Sequence, residues 1–184
     1  DPALVLRAEI IREKGTDRSQ FFRGAVDKYT WQEPGSSFLP GELIAAFLWA
    51  QLEEADNITR QRLDIWKRYH ELLTPIAGAG FVTLPTIPEN CQHNAHMYYV
   101  LLSPGIDRQK VLQHMSDNGV SAVFHYVPLH SSPYGTKAGR VHGDIEVTND
   151  ASARLLRLPM WIGLTPDEQS EVVQVLESGL KLYT

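Results

Sequence analysis

An apolar stripe from residue 42 to about residue 73 constrains the fold of this chain most. Apolar side chains recur there mostly at spacings of three and four residues, the period of one helix face: Leu43, Phe47, Ala50, Leu52, Ala55, Ile58, Leu63, Trp66, Tyr69 and Leu73. An unbroken helix of that length would span roughly 48 Å, more than the ~30 Å width of a small domain. The short polar side chains of Asp56 and Asn57 favour a break there. We therefore predict two bodies, residues 1–56 and 57–184, joined by this segment.

The first body is predicted to begin with an amphipathic helix and to continue without regular structure. Pro2 suits the first turn of a helix that runs to about Arg12. A chain that opens inside a helix is typical of a piece cut from a longer protein. Residues 16–40 mix aromatic and charged side chains with Pro-Gly breaks, which predicts an irregular segment. A loop of about 25 residues is usually functional, although a packed connection with core aromatic residues is equally compatible with the pattern.

The second body reads as a compact α+β unit. The expected order is strand, helix, strand, polar loop, helix, extended piece and final helix, at residues 97–102, 107–118, 120–127, 131–147, 149–157, 158–161 and from 165 onward. Asp107 is predicted to cap its helix, and Gly119 supplies the left-handed residue that ends it. Thr165, followed by a proline and by Glu168 three positions on, predicts a capping box.

Composition and charge exclude several function classes. The chain has 184 residues, with 17 basic and 22 acidic side chains and a net charge of -5, which disfavours a nucleic-acid binder unless the basic residues cluster. Its longest uninterrupted apolar run, residues 43–50, is far short of the roughly 20 residues that a bilayer requires. The lone Cys91 cannot form an internal disulfide and fits a reducing compartment, so we expect a cytoplasmic protein.

Seven histidines raise a metal hypothesis that their spacing does not support. His93 and His96 lie three residues apart, a spacing that sends side chains to opposite faces of extended backbone. His125 and His130 form a second loose pair, but no His-Glu helical motif accompanies either pair and only one cysteine is available. The sequence favours hydrogen-bonded histidines at strand ends, and we predict no metal site.

The segment around His125 and Tyr126 carries more information. We expect a buried strand to bring both side chains to its end at Pro128, where they face a cleft. The loop that follows is locally basic and suits an anionic small ligand such as a phosphate: Tyr134, Lys137, Arg140 and His142. Taken alone, a solvated charged loop is the favoured reading of these residues. No Ser-His-Asp signature, Walker loop or dinucleotide fingerprint is present.

Four short motifs follow one another in a recognisable order. They are residues 35–46 with Gln51-Leu52, Arg62 and Tyr69; Gly119-Val120; His125-Tyr126 with Pro128-Leu129-His130; and residues 158–161 with Leu164, Thr165 and Glu168. Each motif alone is unspecific. Together, over essentially the whole chain, they resemble the DegT/DnrJ/EryC1/StrS-type family of pyridoxal-phosphate-dependent sugar aminotransferases.

The resemblance implies an α/β, aspartate-aminotransferase-like fold of which this chain is the C-terminal part. Residues 1–56 would be the end of the large cofactor-binding domain and a linking helix, and residues 57–184 the small α+β domain. The lysine that anchors the cofactor covalently would lie upstream, since none of the lysines here matches the family's motif for it: Lys14, Lys28, Lys67, Lys110, Lys137 and Lys181. That lysine is also the general base of the reaction, so we expect these residues alone to be inactive.

The resemblance also implies site residues. The family's asparagine that reaches the cofactor phosphate of a neighbouring subunit, and the arginine two positions later, correspond to Ser37 and Leu39. Ser37 retains a hydroxyl that can bind phosphate, whereas Leu39 cannot replace an arginine and is expected in the core. The expected substrate-binding residues are Tyr29, Trp31, His125, Tyr126, Lys137 and Arg140. His125 and Tyr126 would approach the sugar, and Lys137 or Arg140 the nucleotide diphosphate.

The activity implied for the intact enzyme is transfer of an amino group from L-glutamate to the C4 ketone of a dTDP-linked 6-deoxyhexose. The product would serve a surface polysaccharide, either enterobacterial common antigen or lipopolysaccharide, and the enzyme would be a homodimer or larger homo-oligomer. The apolar face of residues 43–55 would then pack on the large domain or on a partner subunit. Two alternatives stay open: a family member that has lost catalysis, and a non-catalytic ligand-binding or regulatory domain whose face at residues 43–55 is covered internally.

Overall fold

The computed structural model describes residues 1–183, apart from the side chain of Ala3, and the chain divides into two compact units. Unit 1 comprises Asp1–Glu54 and unit 2 comprises Ala55–Thr184. Within residues 1–183, no helix combines the length and the apolar character needed to cross a bilayer.

Unit 1 consists of three helices and an irregular connection. Helix α1 spans Pro2–Arg12, as predicted, the short helix α2 spans Arg18–Phe22, and α3 spans Glu42–Glu53. Residues 16–40 were predicted to be irregular; the short helix α2 contradicts this at residues 18–22, and the chain between α2 and α3 is irregular as predicted. Two isolated antiparallel bridges, Glu13 with Ser37 and Thr16 with Trp31, hold this connection to the residues that follow α1. These bridges bring the residues after α1 beside the residues before α3.

The long apolar stripe divides into two helices, which confirms the predicted break. Helix α3 ends at Glu53 and α4 begins at Ala55, so the break falls at Glu54, two residues before the predicted position, Asp56. Helix α4, Ala55–Gly78, buries five side chains, among them Tyr69 and Leu73, whereas α3 buries none.

Unit 2 contains an antiparallel sheet of order β1-β2-β4-β3, formed by Val82–Thr83, Tyr98–Leu102, Val123–Phe124 and Leu155–Leu158 for β1 to β4 in chain order. Helices α4, α5 (Arg108–Asp117) and α8 (Pro166–Leu182) supply most of the rest of its core, and the connections add Ala95, Val120 and Leu164. Alternate residues of β2 are buried, beginning with Tyr98, because one face of this central strand lies on the core.

Two sequence expectations for unit 2 are wrong. The strand expected at residues 120–127 is reduced to β3, whose two side chains, Val123 and Phe124, are 42% and 48% exposed rather than buried. Since β3 is an edge strand that pairs only with β4, both of its side chains, which point to opposite faces of the sheet, stay partly exposed. The helix expected at residues 149–157 is α7, Glu146–Arg154, because Leu155–Leu158 joins the sheet as β4.

The predicted helix caps are confirmed. The Asp107 side chain accepts hydrogen bonds from the backbone N–H groups of Gln109 and Lys110, and Gly119 has φ +78° just after α5. Thr165 and Glu168 form the complete capping box that starts α8. The predicted polar loop at residues 131–147 contains the short helix α6, Gly135–Ala138, just after a 3₁₀ turn, Leu129–Ser131.

Candidate functional site

A cavity of about 560 Å³ in unit 1 contains two of the predicted site residues, Tyr29 and Ser37. We call it the Ser37 cavity, and its walls are Arg12, Glu13, Lys14, Thr16, Arg18, Tyr29, Ser37, Leu39, Pro40 and Gly41. The bridge between Glu13 and Ser37 brings the two halves of this set together across the chain. Leu39 is 50% exposed and lines the cavity, so its predicted core position is wrong.

The wall of the Ser37 cavity is fixed by a buried carboxylate. Asp17 is 8% exposed, and its two oxygens accept hydrogen bonds from the Thr30 backbone N–H (2.6 Å) and from Gln32 Nε2 (2.8 Å). These bonds satisfy a charged group that would be costly to bury alone. Because Thr30 is thereby tied to Asp17, the adjacent Tyr29 is held on the cavity wall.

Two glycines allow the close approach of the strands around this cavity. Gly15 has φ +78°, and a Cβ there would lie 1.6 Å from the Glu33 carbonyl oxygen. A Cβ on Gly35 would lie 2.2 Å from the Gly15 nitrogen. Only residues without a side chain fit at both positions, so these glycines permit the close backbone contact between residues 15 and 33–35.

Trp31 does not line the Ser37 cavity. It is 74% exposed and pairs with Thr16 through the backbone bridge. The structure thus brings Tyr29 and Ser37 together and leaves Trp31 outside that set.

The predicted strand-end pair lies in a second cavity, in unit 2. This His125 cavity, of about 280 Å³, is lined by Arg108, Gln109, Phe124, His125, Tyr126, Val127, Pro128, Ser152 and Ala153. The rings of His125 and Tyr126 meet edge-on with centroids 5.0 Å apart, and Tyr126 is 75% exposed. The Nδ1 atom of His125 is buried and has no hydrogen-bond partner among residues 1–183. Such an unsatisfied atom can bind a polar ligand group.

Arg108 holds the wall of the His125 cavity, and sequence analysis missed it. Its guanidinium lies 5.6 Å over the Phe124 ring, and Nη1 donates to the carbonyl oxygens of Ser152 and, at 3.3 Å, Leu155. Burial lowers the pKa of Arg108 below its ordinary value, without removing its charge at neutral pH. The helix-start position of Arg108 gave no local sign of this role, because its partners lie more than 40 residues away.

Of the two basic residues predicted at the diphosphate, Arg140 lines a described cavity and Lys137 does not. Arg140 lines a third cavity, of about 450 Å³, together with Leu129, His130, Gly135, Thr136, Gly139 and Val141. Lys137 lies on α6, is exposed, and is not part of that wall. His130 is fixed by a 2.9 Å contact from its Nε2 to Asn149 Oδ1, as expected for a hydrogen-bonded histidine.

No group of three or more His, Cys, Asp or Glu side chains that could hold a metal ion occurs within residues 1–183. His93 contacts Trp66 through its ring, with centroids 4.7 Å apart.

Comparison with known proteins identifies the family. The model of the DegT/DnrJ/EryC1/StrS aminotransferase family matches residues 1–177. The dTDP-4-dehydro-2,3,6-trideoxy-D-glucose 4-aminotransferase of Saccharopolyspora spinosa is 26% identical over 98% of this chain and 46% of its own length. The spore coat polysaccharide biosynthesis protein SpsC of Bacillus subtilis (strain 168) is 23% identical over 83% of this chain and 40% of its own. The chain therefore spans less than half the length of these curated relatives.

Solved structures agree on the fold. The aminotransferase TlmJ from Streptoalloteichus hindustanus superposes with a TM-score of 0.81 at 21% identity, and covers 100% of this chain and 47% of its own. The α/β fold implied by the motifs is thereby confirmed. The family is confirmed by the match of its model, and its members use pyridoxal phosphate. The match over residues 1–177, together with the motif order, shows that the chain belongs to the DegT/DnrJ/EryC1/StrS aminotransferase family.

Proposed function

We propose that the intact protein transfers an amino group from L-glutamate to the C4 ketone of a dTDP-linked 6-deoxyhexose, using pyridoxal phosphate. The family match over residues 1–177 carries this proposal. The Saccharopolyspora relative is named for amination at C4 of a dTDP-linked keto sugar, which supports both the nucleotide and the position. The form Gly35-Ser36-Ser37-Phe38-Leu39 resembles members that make dTDP-4-amino-4,6-dideoxygalactose, a precursor of enterobacterial common antigen. The product would thus serve a surface polysaccharide of that kind or a lipopolysaccharide.

In this proposal, unit 1 is the end of the large cofactor-binding domain and unit 2 is the small domain. The support comes from α3, which presents a row of exposed apolar side chains that include Leu43 (89% exposed) and Phe47 (70% exposed). A soluble domain rarely leaves so large an apolar face bare. In the intact protein this face would be covered by the large domain or by a second subunit of a homo-oligomer. The alternative of a non-catalytic domain with this face covered internally loses its support, because the face is exposed.

The residues present fit the phosphate end of the cofactor. The hydroxyl of Ser37 lines a cavity whose wall also carries Arg12, Lys14 and Arg18, a donor set suited to an anion. When bound, pyridoxal phosphate supplies the electron sink that lets the amino group leave L-glutamate, which becomes 2-oxoglutarate, and reach the sugar carbon. None of the lysines of this chain lies in the family's anchoring motif, so that step belongs to residues outside it.

The sugar nucleotide is assigned to His125, Tyr126 and Arg140. The unsatisfied Nδ1 of His125 and the exposed phenol of Tyr126 can hydrogen-bond hydroxyl groups of the sugar and orient it. Arg140, in its own cavity, would bind a diphosphate oxygen, with Lys137 on the neighbouring helix as a second cation. Tyr29 and Trp31 remain predicted substrate contacts, and Trp31 offers a 74% exposed ring for stacking.

The direct test uses the intact protein with pyridoxal phosphate, L-glutamate and either a dTDP-linked or a UDP-linked 4-keto-6-deoxyhexose. We expect an amino sugar, detected by mass spectrometry, and an equal amount of 2-oxoglutarate, with the dTDP substrate strongly preferred. Turnover of neither keto sugar would contradict the proposed activity, and a preference for UDP would contradict the proposed nucleotide.

The sugar-binding role is tested by Tyr126→Phe and His125→Ala in the same protein. Each change removes a hydrogen bond to the substrate, so KM for the sugar nucleotide should rise about 10-fold while KM for L-glutamate stays the same. Tyr183→Phe is the matched control, because Tyr183 follows the end of α8 and lines none of the described cavities. Unchanged sugar-nucleotide kinetics in the His125 and Tyr126 double variant would exclude the binding role.

A further inference from the structure

The Ser37 cavity carries an excess of positive charge. Three basic side chains and one carboxylate line it: Arg12, Lys14, Arg18 and Glu13. The carboxylate is already engaged, since Glu13 Oε1 accepts a hydrogen bond from Ser19 Oγ and lies 3.4 Å from Arg12 Nη2. Arg12 is therefore partly compensated by its neighbour, and the other two cations are left to set the potential of the cavity.

Lys14 and Arg18 have no carboxylate partner. Neither residue takes part in an ion pair within residues 1–183, and Arg18 instead lies 5.1 Å over the Phe22 ring. Three cations face two carboxylates, Glu13 on the wall and the buried Asp17 behind it, so the cavity keeps an excess of one positive charge in a chain whose net charge is -5. A fixed pair of this kind attracts an anion.

The backbone at Lys14 gives a second, independent reason. Lys14 has φ +63°, in the left-handed region that residues with a Cβ disfavour, and its N–H is held by the Ser36 carbonyl oxygen at 3.1 Å. Glycine or asparagine would adopt this conformation more easily. The backbone therefore does not explain a lysine at this position, whereas a function of its ammonium group in the cavity does.

Neutral donors complete the wall. The hydroxyl groups of Ser37 and Tyr29 form no hydrogen bond with any of residues 1–183, so both can donate to a ligand. The volume of about 560 Å³ exceeds that of a bare phosphate and suits a phosphorylated small molecule. Leu39, on the same wall, contributes no charge.

We propose that Lys14 and Arg18, with the hydroxyls of Ser37 and Tyr29, form the phosphate-binding site of this cavity. Lys14 and Arg18 thereby supply the positive charge of the family's arginine, whose position is occupied here by Leu39. The inference rests on the proposed function for its ligand, which is either the cofactor's phosphate or the diphosphate of the sugar nucleotide. Both present the same chemistry, phosphate oxygens bound by an ammonium, a guanidinium and hydroxyl donors.

The test measures binding to the intact protein rather than catalysis. Dissociation constants are determined by calorimetry for pyridoxamine phosphate, which has no aldehyde to react with a lysine, and for dTDP. Pyridoxamine and thymidine serve as the corresponding ligands without phosphate. In the wild type, both phosphate ligands should bind more weakly as the NaCl concentration rises.

The decisive variant is Lys14→Asn, which removes the charge and relaxes the backbone. Its thermal midpoint should equal or exceed that of the wild type, so that weaker binding cannot be attributed to unfolding. We expect at least a 10-fold loss of affinity for one phosphate ligand, with the affinity of its counterpart without phosphate unchanged. Arg18→Gln should weaken the same ligand. Lys28→Asn is the matched control, because Lys28 is an exposed lysine of the same unit outside the cavity wall.

The ligand whose affinity falls identifies the source of the phosphate, and either result supports the site. A Lys14→Asn protein that binds both phosphate ligands as the wild type does would overturn the inference. Adding Leu39→Arg to Lys14→Asn should recover part of the lost affinity, because it returns a cation to the same wall. The binding assay contains no amino donor, so its result does not depend on catalysis. If the wild type binds both phosphate ligands but forms no amino sugar in the separate turnover assay, the proposed function alone is contradicted.

Discussion

Helices α3 and α4 continue one apolar pattern in the sequence, yet they have opposite environments. On α3, Leu43 is 89% exposed and Trp49 66% exposed, whereas on α4 both Tyr69 and Leu73 are fully buried. The whole hydrophobic core of the described residues lies in unit 2. Burying one large apolar side chain contributes about 1.5–3 kcal/mol, so unit 2 has a source of stability that unit 1 lacks. The spacing of apolar residues along a helix therefore predicts which face of the helix is apolar, but not whether another part of the protein covers that face.

The largest effect is expected from separating the two regions. Residues 55–184 alone should unfold cooperatively, because their core is complete. Residues 1–54 alone should show little helical circular dichroism, since isolated helices of 5 to 12 residues are marginal in water. A stable, cooperatively unfolding 1–54 peptide would contradict the comparison.

A matched pair of leucines measures the difference directly. Leu73→Ala, in the core, should lower the free energy of unfolding by roughly 2–5 kcal/mol, through lost burial and the cavity left behind. Leu43→Ala, on the exposed face of α3, should change it by less than about 0.5 kcal/mol in this chain. Urea denaturation followed by far-UV circular dichroism and by tryptophan fluorescence checks both values. Equal losses would mean that α3 is covered after all.

Buried tyrosines should make unit 2 sensitive to alkali. Burial raises the pKa values of Tyr69 and Tyr98, which have hydrogen-bond contacts with the Pro159 carbonyl oxygen (2.9 Å) and His70 Nδ1 (3.1 Å). The tyrosines of the unfolded chain ionise at a lower pH than the buried ones. The two tyrosines therefore contribute fully to the free energy of unfolding below pH ~10, and this contribution is lost as pH rises toward the raised pKa values. The free energy of unfolding should fall by up to about 1.4 kcal/mol per pH unit for each group.

Urea titrations between pH 8 and 11 measure this slope. Tyr98→Phe should make it shallower, whereas Tyr29→Phe, which changes a half-exposed tyrosine of unit 1, should leave it unaltered. A slope that is the same in wild type and Tyr98→Phe would show that the ionisation of Tyr98 is not linked to folding.

The smallest effects are expected at the helix starts. Thr165→Ala removes the capping box of α8 and should destabilise unit 2 by about 1 kcal/mol, while Thr165→Ser should retain most of the cap. Helix α3 begins at Glu42, and its N-cap residue, Gly41, has no side chain to cap it and open space around it. Gly41→Ser should therefore stabilise the helix by only about a few tenths of a kcal/mol. Thermal denaturation of Thr165→Ala and Gly41→Ser tests which change in stability is larger. A larger change for Gly41→Ser would contradict the expected order.

Sequence patterns predicted the features that depend on near neighbours. Asp107 and Thr165 were identified as caps from residues two to three positions away, and the break before α4 was placed within two residues of Ala55. The extent of β3 was not predicted, because an edge strand and a central strand present the same apolar run, and only the pairing order distinguishes them. Leu39 was misplaced for a similar reason, since an apolar side chain at a cavity wall looks like a core residue.

The structure brings some of the predicted site residues together. Tyr29 and Ser37 share one cavity, and His125 shares another with Tyr126, but Lys14, Arg18 and Arg108 were not singled out. Their partners in each cavity lie far away along the chain, so no local spacing marked them.

By itself, the sequence determined the positions of most helices, their caps, the apolar faces and the family, because these follow from interactions and motifs within a few residues. Only the tertiary structure decided which apolar face is buried, which strand lies at the sheet edge, and that residues 12–18 meet residues 37–41 around one cationic cavity. The physical reason is chain closure. Contacts between distant segments depend on how the whole backbone packs. A glycine pair such as Gly15 and Gly35 permits a close contact, but its presence in the sequence does not predict where that contact forms.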